Sequence, residues 1–171
     1  MVYKLMITSQ ESRYFLLEVE LDGGHSFFDL HALIQKSTGY ESYQLASFFL
    51  SDNGLSKTKE ISMLDQGLEG GVYFIMQKTK LSDLLKSKGQ KLIYTFDFLN
   101  DRSFFIELTG IDMGKNLKEP SITSKHGDPP VQVLGEEKDE QNSTKLQEEE
   151  IFMDFGVLDD YNELFGEMED F

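Results

Sequence analysis

The sequence predicts an α+β fold, a mostly antiparallel sheet with two helices, ending in an acidic C-terminal tail. Three observations lead there. Several short stretches alternate apolar and polar residues with a period of two. Two stretches carry apolar residues at helical spacing and stop at a glycine. Carboxylates crowd the end of the chain.

The elements follow in order. Residues 2–8 read as a strand with Tyr3, Leu5 and Ile7 on one face. Residues 14–21 read as the next, where Phe15, Leu17, Val19 and Leu21 share a face, and the short polar link between them predicts a hairpin. Ser26 suits a helix N-cap, and Asp29 suits the positive end of the helix dipole. Phe27, Leu30, Leu33 and Ile34 form the apolar face, and Gly39 ends the helix. Residues 45–50 then give a strand. This strand–strand–helix–strand order is a β-grasp-like beginning, shared with other α+β folds.

Ser51-Asp52-Asn53-Gly54 is a turn, residues 59–63 a short edge strand, and 72–76 another short strand. Thr79 is placed to cap a short helix, LSDLLKSK, that Gly89 closes. Residues 91–98 and 103–111 form two strong strands, and the four residues between them predict an antiparallel hairpin. All three prolines, Pro120, Pro129 and Pro130, fall beyond this point. The chain thus divides into a globular part (1–118), a proline-containing extended strap (119–134) and a tail (135–171). From Gly135 to Glu150 only Leu146 is apolar, too little to offset the entropy of ordering, so disorder is expected there.

Charge separates the same parts. Of 31 acids and 16 bases, residues 1–119 hold 16 and 13, and residues 120–171 hold 15 and 3. The front is nearly balanced, and the last 52 residues carry a net −12. Such a surface repels phosphate backbones, so direct nucleic-acid binding is not expected. With no cysteine in the chain, disulfides and thiolate metal sites are excluded. No apolar run approaches the ~20 residues that span a bilayer. The start, MVYKLMITSQ, lacks the pattern of a signal peptide, and the expected location is cytoplasmic, away from membranes.

Two stretches carry a family resemblance. FFDLHALIQKSTGYESYQLASFFL (27–50) resembles the helix with a Leu-His pair, then a glycine, an aromatic and a strand, of the Ri-plasmid open-reading-frame-three-like domain family. LSDLLKSKGQKLIYTFDFLNDRSFFIEL (81–108) resembles that family's short helix, glycine, aromatic-Asp-Phe strand and hairpin partner. The likeness covers roughly residues 2–133. After Phe96-Asp97-Phe98 the family usually has Gly, Asp, any residue and Trp. This chain has Leu99, Asn100, Asp101 and Arg102, and Phe104 stands at a common family His. Cysteines that family members often carry after the hairpin are missing. The resemblance implies an α+β domain and no reaction.

Side-chain chemistry is sparse. His25, His31 and His126 do not pair at metal-ligand spacing. His31 lies beside core positions of the first helix, and a packed histidine with one hydrogen bond is its plain reading. Asp97 sits among Tyr94, Phe96 and Phe98, where it either faces solvent or caps the adjacent turn. His31, Asp97 and Asp101 form the candidate polar site. An enzyme built on it requires His31 and Asp97 to share one cleft. Asp97, Asp101 and Glu107 could meet across the hairpin, but no loop spacing arranges them for a cation. No phosphate-cradling loop or dinucleotide fingerprint is present, and no cofactor is expected.

The tail carries the sharper pattern. Leu158, Tyr161, Phe165 and Met168 fall at spacings of three, four and three, one apolar stripe of a short helix over 157–168. That stripe either folds back, frays, or docks in a partner's groove. The leading expectation is a non-enzymatic, protein-binding interaction module whose partner is met through the tail. Alternatives are a mobile-element accessory or DNA-mimic protein, and an enzyme using His31 and Asp97. The oligomeric state is left open.

Overall fold

A computed structural model describes residues 1–67, 70 and 73–135. The segment proposed as a recognition helix, with Leu158, Tyr161, Phe165 and Met168, lies outside the described residues. Among the described residues are strands β1 (Val2–Ser9), β2 (Leu16–Asp22), β3 (Ser47–Ser51), β4 (Lys57–Ser62), β5 (Phe74–Ile75), β6 (Lys91–Asp97), β7 (Arg102–Asp112) and β8 (Ser121–His126). Helix α1 spans Phe27–Thr38 and α2 spans Leu81–Leu84. The strands form one sheet in the order β5-β4-β3-β6-β7-β1-β2-β8. Every pairing is antiparallel except the short parallel one between β4 and β5. The fold is α+β and mostly sheet.

Side-chain alternation explains the layering. Tyr3, Leu5 and Ile7 of β1, Leu17, Val19 and Leu21 of β2, and Phe104, Ile106 and Leu108 of β7 are all buried in one core. Successive side chains of a strand point to opposite faces, so each set shares the face on which the core is built. Helix α1 adds Phe27, Leu30, Leu33 and Ile34 to that core. Its ends are fixed locally. The Ser26 hydroxyl accepts from the Asp29 amide, and the Asp29 carboxylate accepts from the Ser26 amide at 2.7 Å, a capping box. Gly39 closes the helix at φ 72°, a left-handed conformation that glycine adopts without a Cβ penalty.

Several boundaries differ from expectation. The short helix opens at Lys80, whose amide donates to the Asp83 carboxylate at 2.9 Å, and Thr79 lies one residue before it. It ends after one turn, well short of Gly89, because Leu85 leaves helical geometry to enter the core. Residues 121–126 of the expected strap are strand β8, paired with β2. The strand–strand–helix–strand order is present along the chain, but β6 and β7 lie between β3 and β1, and β7 is antiparallel to β1. Residues Met1–Val133 make one unit and Leu134–Phe171 a second.

Candidate functional site

The polar residues picked out in the sequence occupy three separate settings. His31 projects from α1 into the core and is 1% exposed. Its Nδ1 shares a 2.8 Å hydrogen bond with the Tyr94 hydroxyl from β6. The imidazole also lies against the Phe28 and Tyr94 rings. Burial lowers its pKa to about 4, so the ring is neutral in the fold at neutral pH. The Tyr94 hydroxyl is pushed well above its usual range by the same burial.

Asp97 closes β6. Its carboxylate accepts from the Asn100 amide at 3.2 Å and the Asn100 side chain at 2.9 Å, capping the hairpin turn. Burial works against its charge. The Asn100 and Arg102 hydrogen bonds outweigh that, and its carboxyl lies below the usual range. Asp101 is in that turn at φ 49° and faces outward, 2.9 Å from the Lys57 ammonium. His31 and Asp97 share no hydrogen bond, for each is spent on its own partners.

Arg102, noted in the sequence only as a departure from the family pattern, organises the polar cluster. It is the first residue of β7 and only 6% exposed. Position 102 is in phase with Phe104, Ile106 and Leu108, which puts its side chain on the core face. A buried guanidinium needs partners. Nε and Nη2 each donate to Glu11 at 2.8 Å, a bidentate pair. Nη1 donates to Asp97 at 3.5 Å and to the Gln132 carbonyl at 3.1 Å, and Nη2 to the Val131 carbonyl at 2.6 Å. The Phe96 ring lies 5.0 Å from the guanidinium carbon. Its hydrogen bond to Arg102 holds the Glu11 carboxyl below its ordinary range.

Between the His31–Tyr94 pair and the Arg102 cluster stand aromatic rings. Tyr40, just after α1, packs on Phe96 and Phe104, and Phe104 stacks near Tyr94. The Tyr40 hydroxyl donates to the Pro130 carbonyl, and burial raises its pKa far above normal. Every buried side-chain polar atom among the described residues has a hydrogen-bond partner. No cluster of His, Asp and Glu among them has the makings of a metal site.

Two surface hollows are shallow, and one of them touches the polar cluster. One of about 430 Å³ sits at the β4–β5 edge, bordered by Lys59, Tyr73 and Phe74. Another, of about 300 Å³, is bordered by Glu11, Leu55, Lys57, Asp101 and Arg102. It brings Asp101 near the Arg102 cluster and does not include His31. The larger one holds no buried titratable group, so size does not mark it as a reaction site. None of the described helices is long and apolar enough to cross a membrane.

The family described as plasmid pRiA4b ORF-3-like protein matches residues 2–150. The chain belongs to that family. Among solved structures it is similar to a protein of unknown function, MM3350, from Methanosarcina mazei Go1. Identity is 24% over 72% of this chain and 68% of that one, with a TM-score of 0.53, a likeness of fold. No curated protein matches.

Proposed function

We propose that this member of the pRiA4b ORF-3-like family is a non-enzymatic interaction module that binds protein partners. The observation that carries the reading is the use made of the buried polar groups. His31 is committed to Tyr94, and Arg102 to Glu11, Asp97 and the carbonyls of Val131 and Gln132. Such groups hold a structure together; a general acid or base needs a side chain facing a substrate. The β-grasp-like opening serves as scaffold in this reading and carries no chemistry.

The binding element we assign is the acidic sequence after residue 135, with Leu158, Tyr161, Phe165 and Met168 as its apolar anchors. Support comes from its helical spacing and from the net −12 that the last 52 residues carry. The test is affinity capture with the full chain and with a chain ending at Gly135. Partners retained by the full chain and lost on truncation are expected. Identical partner sets would remove the tail from the account.

A further inference from the structure

Residues 127–133 run from the end of β8 to the limit of the first unit, and their fastening is unlike that of the sheet. The sheet is held by repeated main-chain pairing. This strap is held by side chains from two distant places, Arg102 of β7 and Tyr40 after α1, and by its own Gln132 side chain. Arg102 grips the carbonyls of Val131 and Gln132, and Tyr40 donates to that of Pro130. Gln132 completes the hold: its amide oxygen accepts from the Glu41 amide at 2.7 Å, and its amide nitrogen donates to the Glu41 carbonyl at 2.9 Å. Pro129 and Pro130 offer no N–H, so they contribute no donor to any ladder here.

We propose that this strap is a latch that opens separately from the sheet, with Arg102 as its lock. Glu11 and Asp97 hold the guanidinium in place from the other side, so the lock persists when the strap lifts. No strand pairing is lost on opening, because β8 ends at His126. Opening moves the point where the following acidic sequence joins the folded unit from about residue 133 back to about residue 127. Local opening of this kind is expected where few ladder bonds and mostly side-chain contacts secure a segment. The inference stands on the clamp geometry and is independent of what the acidic sequence binds.

The test is thermolysin digestion of the full chain under native conditions, with the thermal transition followed in parallel. When reclosing is fast, cutting reports the open population. Gln132→Ala removes both bonds to Glu41 and leaves the core intact. It is expected to speed cutting between Gly127 and Leu134 by about tenfold, from two hydrogen bonds of modest net strength, with an unchanged transition. Arg102→Met is expected to speed it further. Unchanged cutting in Gln132→Ala would overturn the proposal. So would acceleration that tracks a lowered transition in that variant, since strap and sheet would then open as one.

Discussion

His31 shows how a single buried group writes a pH dependence into stability. The unfolded chain takes up a proton near the ordinary histidine pKa of 6.5, whereas the folded ring resists protonation down to about 4. The folded pKa is the lower one, so stability is complete above 6.5 and falls as the pH drops toward 4. The loss amounts to at most roughly 3 kcal/mol over that window. Replacing His31 by Leu is expected to abolish this slope in urea denaturation measured at pH 7 and pH 5. At pH 7 the same change costs about 1–3 kcal/mol, because the Tyr94 hydroxyl loses its partner. Adding Tyr94→Phe should cost less than its effect alone, as two residues in contact are not additive. Glu11 and Asp97, both depressed, add stability that is lost only further down, as the pH falls through their folded pKa values. The plain reading of His31, packed with one hydrogen bond, could be reached from its place beside Leu30 and Ile34. Arg102 was legible in part, by its phase with Phe104 and Ile106. Its partner Glu11 was not, since 91 residues separate them and no local pattern links the two.

Elements fixed by local chemistry were the ones the sequence disclosed. Helix α1 is bounded by Ser26 and Gly39 through bonds that span a few residues, and both were readable. Ser26→Ala is expected to cost about 1 kcal/mol in denaturation by loss of the cap. The prolines at 120, 129 and 130 mark an extended strap but hide the strand between them, and β8 offers no buried apolar set to reveal it: its one large apolar residue, Ile122, is exposed. Main-chain pairing to β2 makes it a strand, with an irregularity in register at Glu18/Val19 that bends such an edge. Gly127 ends it at φ 68°, and a Cβ there would come within 2.3 Å of the Tyr14 carbonyl oxygen. Gly127→Ala must therefore push the backbone apart as well as strain its own. It is expected to destabilise by more than the ~1 kcal/mol of an ordinary left-handed glycine, read as a lowered thermal transition. Gly39→Ala, with open space around it, serves as the mild comparison.

At the scale of the molecule, fold class was legible from periodicity, but strand order was not. The pairing of β1 with β7 joins residues about a hundred positions apart, and alternation says which face a residue takes, not which neighbour it has. One edge of the sheet is a poor template for further pairing: β5 has two residues, and β4 beside it is largely exposed and carries Lys57 and Lys59. Met1 packs against the core, and Arg102 ties Glu11 to the strap. We propose that residues 1–135 contain all that the fold requires and that the acidic sequence after them meets partners. A chain ending at Gly135, followed by circular dichroism on heating, tests this most directly. A single cooperative transition within a few degrees of the full chain is the predicted result. A truncated chain with no transition would contradict it.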